Sequence, residues 1–232
     1  MKTIGLIGGM SWESSIEYYR IINQTVKARL GGLHSAKSVM YSVDFAEVEI
    51  LQHQGRWAEA AQMLIEAAKR LENSGAELIV LCTNTMHKVA DEIQANVKLP
   101  FLHIADATAQ RVLSSGLRAV GLLGTRFTME EEFYKGRLSK NYGLNVIVPN
   151  AREREVVHRV IYDELVVGRI EPASKVQYVR IIEQMIGQGV EGIILGCTEI
   201  GLLLHQEDSR VPLFDTTRIH AEAAVEYAVK DE

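Results

Sequence analysis

The 232 residues suffice for one large or two small domains with a sizeable buried core. With 47% apolar and 24% charged residues, a net charge of −5 and no basic cluster, the composition excludes a disordered chain and argues against nucleic acid or an anionic membrane as partner. The start "MKTIGLIGGMSWE" is too short for a signal segment and no apolar run approaches the ~18 residues of a membrane span, so a cytoplasmic chain with free thiols at Cys82 and Cys197 is expected.

In chain order, "TIGLI" (3–7), "SVMYSV" (38–43), "ELIVLC" (77–82), "AVGLL" (119–123), "NVIVP" (145–149) and "GIILG" (192–196) read as strands. Helical stretches lie between them. Trp57, Ala60, Leu64, Ala67 and Leu71 mark one apolar face that ends before Gly75; Val176, Val179, Ile182 and Ile186 mark another that ends before Gly189. Helices alternating with apolar strands imply an α/β fold with parallel sheets covered on both faces.

A faint internal repeat refines this. "IGLIGGM" from Ile4 matches "VGLLGTR" from Val120 at an offset of 116, which also places Tyr18 on Tyr134. "GAELIVLCTNT" matches "GVEGIILGCTE" at an offset of 114, and "LPFLHIADAT" resembles "VPLFDTT" at 112. Three blocks in one order imply two pseudo-symmetric lobes, each a roughly four-stranded parallel sheet flanked by helices. The short strands near 100–104 and 211–214 are expected to complete the sheet of the opposite half. The lobes then comprise residues 1–98 with 207–232, and residues 99–206. Ligands of such folds sit at strand C-terminal ends, so the cleft between lobes is the expected active site.

The repeat aligns Thr83 with Cys197, Asn84 with Thr198, Thr85 with Glu199, and Cys82 with Gly196. Side chains alternate along a strand, so Cys82 and Thr83 point to opposite sides. Under a pseudo-two-fold, Thr83 faces Cys197 across the cleft while Cys82 turns into its own lobe as a small hydrophobe. Taken alone, Cys197 reads as a buried thiol; its symmetry with a polar position, and the room left by Gly196, move the reading toward a site.

Together "LIGGMSWESS", "CTNTMH", "LGTRFTM" and "LGCTEI" resemble the cofactor-independent aspartate/glutamate racemase family over nearly the whole chain, as far as "FDTT" (214–217). In that family two cysteines face the two sides of the substrate α-carbon. This chain retains the second as Cys197 and has Thr83 at the first position, so it is similar to the subgroup of L-aspartate/glutamate-specific racemases. The resemblance implies that Cys197 abstracts the α-proton of the L form and Thr83 delivers one to the opposite face, with no cofactor. It further implies a free amino acid as partner and a homodimer.

Other positions follow with their alternatives. Met10 and Ser11, after the first strand, form a turn whose N–H groups suit a carboxylate; it is equally a plain strand–helix turn with Ser11 or Ser14 as N-cap, and the resemblance favours substrate contact. Asn84, Thr85 and Thr198 are placed to hold the α-carboxylate and α-amine, and Thr125 and Thr128 match that role in the second lobe. For the distal carboxylate the chain offers Gln52, with Arg56 further on. Backbone N–H groups after Gly196 would lower the pKa of Cys197; Glu199 would oppose that or shuttle a proton, and counts among the substrate-binding set. His87, His103 and His220 lack paired metal-ligand spacing, and His87 either supports the first-lobe loop or is an ordinary helix-start histidine. A single cysteine on this scaffold also suits an arylmalonate-type decarboxylase, a hydantoin racemase or a maleate cis–trans isomerase. A non-catalytic amino-acid-binding protein is the further alternative.

Overall fold

The structure, a computed structural model, describes residues 1–230. The chain folds as two compact units, Met1–His103 together with the segment from His220, and Ile104–Ile219. The first contains β1 (Ile4–Gly8), α1 (Trp12–Leu30), β2 (Ser38–Ser42), α2 (Phe45–His53), α3 (Trp57–Asn73), β3 (Leu78–Leu81), α4 (Ala90–Asn96) and β4 (Phe101–Leu102). A short 3-10 turn, Thr85–Val89, precedes α4. The second contains α5 (Ile104–Ser114), β5 (Ala119–Gly124), α6 (Arg126–Glu130), α7 (Lys135–Tyr142), β6 (Asn145–Ile147) and α8 (Ala151–Asp163). It continues with α9 (Pro172–Gly187), β7 (Gly192–Gly196), α10 (Ile200–Leu203) and β8 (Leu213–Asp215). The last helix, α11 (Thr216–Ala228), begins in the second unit and continues into the first.

Each unit has a four-stranded parallel sheet, ordered β2-β1-β3-β4 and β6-β5-β7-β8. The central strands β1, β3 and β7 are buried along their whole length, as expected when helices cover both faces. Alternation along β3 divides the core of the first unit. Ile79 and Leu81 join the cluster under α3 and α4, while Leu78, Val80 and then Cys82 join the cluster under α1 and α11. Each such aliphatic side chain stabilises the fold by about 1.5–3 kcal/mol when fully buried. Among the described residues no helix is long and apolar enough to cross a membrane.

The two short strands correct the expectation drawn from the repeat. Phe101 and Leu102 pair with Ile79 and Val80, and Leu213, Phe214 and Asp215 pair with Ile193, Ile194 and Leu195, each within its own half. Short links from α4 and α10 reach the neighbouring edge of the same sheet without a long crossover. The following helices change unit instead. α5 packs with α7 in the second unit, and Ala221, Ala224, Val225 and Ala228 of α11 pack with β1 and α1 in the first. The divisions consequently fall at 103/104 and 219/220 rather than at 98/99 and 206/207.

The expected core face of α3 is buried from Ala60 to Leu71, with Trp57 half-buried at its start, but that of α9 is rotated. Val176 is 70% exposed, and Ser174, Tyr178, Ile181, Ile182 and Met185 face inward. Tyr178 anchors that face by donating from its hydroxyl to the Val157 carbonyl at 3.0 Å, which turns Val176 outward.

Candidate functional site

In the first unit the chain leaves β1 through Gly9, Met10 and Ser11. Gly9 has φ 93°, and a Cβ there would stand 2.2 Å from the Val43 carbonyl oxygen, so only glycine lets this turn approach the segment after β2. Its N–H donates to Ser15 Oγ at 2.8 Å, and that hydroxyl donates to the Ser11 carbonyl at 2.8 Å. Ser11 is the N-cap of α1, its Oγ accepting from the Ser14 N–H at 3.4 Å. The Met10–Ser11 peptide is cis, and both residues are buried.

The neighbouring strand β3 ends beside this turn. Cys82 N–H donates to the Ile7 carbonyl at 2.9 Å, and the chain then bends, with Thr83 N–H donating to the Leu81 carbonyl at 2.9 Å. Thr83, Asn84 and Thr85 are buried along the start of the 3-10 turn. Gln52, buried on α2, donates from Nε2 to Met86 Sδ at 3.0 Å and ties that helix to the same turn. Met10, Ser11, Thr83, Asn84, Thr85 and Gln52 thus all lie toward the C-terminal edge of the first sheet. Arg56 instead pairs with Glu59 on the surface at 2.6 Å. Cys82 belongs to the core, and burial pushes its thiol pKa far up.

In the second unit the equivalent edge is formed by the ends of β5 and β7. Gly124 and Gly196 are register partners, and a Cβ on Gly124 would stand 2.7 Å from the Gly196 carbonyl oxygen. This pair of glycines lets the two strand ends close together. Thr125 follows as the N-cap of α6, its Oγ1 accepting from the Thr128 N–H at 3.3 Å and lying 3.2 Å from Thr128 Oγ1. Cys197 follows β7. Its Sγ donates to Glu199 Oε2 at 3.0 Å, and Thr198 Oγ1 donates to the same oxygen at 2.7 Å. All three residues are buried. The Thr198 carbonyl in turn accepts from Thr217 Oγ1 at 3.3 Å, and Thr216 Oγ1 donates to the Leu195 carbonyl at 2.7 Å.

The electrostatics correct one expectation. The Cys197 pKa is not lowered by the turn but raised well above the ordinary thiol value. Burial is the larger cause, followed by the Glu199 charge and the hydrogen bond that thiol donates to it; the Glu199 backbone N–H acts in the opposite direction and is outweighed. Glu199 is therefore the hydrogen-bond acceptor of the thiol.

The sequence-level reading gave no role to Tyr18, His103 or His220. His87, His103 and His220 lie buried together in the first unit beside Phe101, with ring centroids 4.5–6.4 Å apart. Nothing local marks Tyr18 and His220 as partners across 202 positions; the one available signal was the repeat that sets Tyr18 on Tyr134. Among the described residues no group of three or more His, Cys, Asp or Glu is arranged to hold a metal ion.

Comparison with known proteins gives the family. A family model described as Asp/Glu/hydantoin racemase matches residues 7–224. A protein from Yersinia pestis, assigned provisionally as an Asp/Glu racemase, is 59% identical with a TM-score of 0.92, covering 99% of this chain and 100% of that one. An aspartate racemase homologue from Pyrococcus horikoshii OT3 is 39% identical with a TM-score of 0.85 over 99% and 100% of the two chains. The broad specificity amino-acid racemase RacX of Bacillus subtilis (strain 168) is 27% identical over 174 residues, 72% of this chain and 71% of that protein. Fold and matches together define the class, an isomerase of the amino-acid racemase type. The chain belongs to the Asp/Glu/hydantoin racemase family.

Proposed function

We propose that the protein racemises aspartate or glutamate by moving the α-proton between Cys197 and Thr83, acting on the two faces of Cα. The observation that carries this reading is the buried Cys197 thiol donating to Glu199 at 3.0 Å. A thiol kept protonated by burial is a poor base; a carboxylate in contact with it takes its proton as the sulfur takes the one from Cα. The L substrate thus loses its α-proton to Cys197, and the thiol's former proton resides on Glu199. The developing enediolate charge is met by the hydroxyl and amide groups of Asn84, Thr85 and Thr198. Thr83 then donates its hydroxyl proton to the other face and is recharged from a neighbouring donor or water.

The printed descriptions of the relatives support an acidic amino acid, and Gln52 would meet the distal carboxylate. In this reading the enzyme works in the cytoplasm as a homodimer, on a free amino acid and without a cofactor.

The test is incubation with L-aspartate and L-glutamate in deuterated water, followed by chiral separation and mass spectrometry. The wild type is expected to label Cα in both enantiomers. Cys197→Ala should label neither. Thr83→Val should label Cα with retention, through the Cys197 face alone, and form no D product. Inversion at the wild-type rate by Thr83→Val refutes the assignment.

A further inference from the structure

The proton transfer leaves the three buried imidazoles without a role, yet two of them terminate adjacent strands. A carbonyl oxygen only accepts, so each hydrogen bond fixes a tautomer. His87 carries its proton on Nδ1 and donates to the Thr83 carbonyl at 2.7 Å. His220 carries its proton on Nε2 and donates to the Leu102 carbonyl at 2.9 Å, while its Nδ1 accepts from the Tyr18 hydroxyl at 2.8 Å. Burial lowers the His220 pKa to about 4, so this ring is neutral near pH 7. β3 and β4 pair only through Ile79–Phe101 and Val80–Leu102. Beyond that short ladder, imidazole N–H groups supply donors to carbonyls at the ends of both strands, where a buried unmade bond is costly.

His87 does more than satisfy one carbonyl. Its backbone N–H donates to the Asn84 carbonyl at 3.1 Å, so one residue grips two consecutive carbonyls of the loop that presents Thr83. Its ring is itself wedged, with His103 at 4.5 Å and Phe101 at 5.6 Å edge-on. With the peptide plane that directly follows Thr83 Cα held, and the next one held as well, the loop has little freedom to swing the Thr83 hydroxyl.

We propose that His87 is a positioning residue for Thr83, clamping the Thr83–Asn84 peptides so that the hydroxyl lies where it delivers its proton to Cα. This rests on the reading that Thr83 acts on the face opposite Cys197. The inference concerns geometry, because the imidazole touches a carbonyl and not the substrate.

Asparagine places an amide nitrogen near the site of Nδ1, whereas glutamine reaches toward Nε2; the two variants separate donor position from mere polarity. His87→Asn should keep inversion within about threefold, and His87→Gln should lower it about tenfold to a hundredfold, the scale of an ångström misplacement. Labelling of the L form with retention, which depends on Cys197, should stay at the wild-type rate in both. Equal loss on both faces, or a glutamine variant that inverts as fast as wild type, overturns the positioning role. Wild-type inversion by Thr83→Val instead removes the underlying reading, so the two failures are distinct. If the glutamine variant does not fold, imidazole 15N NMR of the wild-type protein decides. The His87 Nδ1 proton must be protected from solvent like the core amides of the first unit, and rapid exchange overturns the clamp.

Discussion

Replacing Glu199 with glutamine is the sharpest probe of the thiol. The amide has nearly the same volume, and its oxygen still accepts from Thr198 and from the Cys197 Sγ, so the packing of this buried turn is retained. What disappears is a negative charge 3.0 Å from the sulfur; at an effective dielectric of about 20 its repulsion of a thiolate is ~5 kcal/mol. That is several times the ~1.4 kcal/mol of a tenfold effect, so the proposed reaction requires the thiolate to form only as the carboxylate accepts its proton. Two quantities should then move in opposite directions. Alkylation of Cys197 by iodoacetamide, followed in a Cys82→Ala background, should speed up at a given pH because the thiolate is no longer repelled. Racemisation should fall by roughly 10²–10⁴-fold, the usual scale of a lost acid–base group. Chiral chromatography of initial rates supplies the second number. A Glu199→Gln enzyme that is faster in both assays would refute the reasoning, since thiolate population rather than proton acceptance would then limit the reaction.

Three further outcomes concern stability. Burial raises both thiol pKa values, so the folded state retains protons that the unfolded chain releases above about pH 8.5, and stability falls with rising pH. Urea melts between about pH 8.5 and 9.5 should show up to ~1.4 kcal/mol per pH unit for each thiol, and Cys82→Ala should reduce the slope; an unchanged slope contradicts the assignment. His220 behaves in the opposite sense. Its folded pKa of about 4 lies below the ordinary value near 6.5, so its contribution is intact above about pH 6.5 and is lost on acidification toward pH 4, by ~3 kcal/mol in total. His220→Gln retains a donor for Leu102 and should flatten that acid limb in the same melts. Gly9→Ala meets the Val43 oxygen at 2.2 Å and an unfavourable φ, and should cost at least ~2 kcal/mol by thermal unfolding; a loss under ~0.5 kcal/mol would show that the turn adapts.

The long strands were legible because buried parallel strands are written as unbroken apolar runs, and Gly75 and Gly189, both at positive φ, mark where α3 and α9 stop. The sheet membership of β4 and β8 was not. Two or three residues carry no period, and which edge they join is decided by the length of the link from the preceding helix. Val176 misled for a related reason: its spacing suits a helix face, but the Tyr178 hydroxyl selects a face rotated from it. At the candidate site the repeat set Thr83 on Cys197 and assigned Cys82 to the core, where it lies. The carboxylate's aim at the sulfur two residues back depends on a turn that spacing does not encode. The histidine cluster stayed hidden because His220 reaches it only after α11 passes between units, a consequence of packing.

The two strand ends share a scaffold but differ in local chemistry, and the difference bears on what L preference can mean. Cys197 has a carboxylate against its sulfur, a partner that accepts a proton. The Thr83 backbone has an imidazole N–H against its carbonyl, a partner that donates and stays in place. In the proposed reaction the first end is therefore built for abstraction and the second for orientation. The enantiomers nonetheless have equal free energy in water, so a reversible racemase has equal kcat/KM in both directions whatever its residues. Asymmetry of this kind can reside only in kcat and KM separately. A D substrate must be deprotonated from the hydroxyl side, where abstraction is poor, so a lower kcat has to be matched by a lower KM in the same proportion. Full progress curves from each pure enantiomer give both constants. If the D form shows no turnover at any concentration while the L form is consumed, the chemistry is not a simple racemisation.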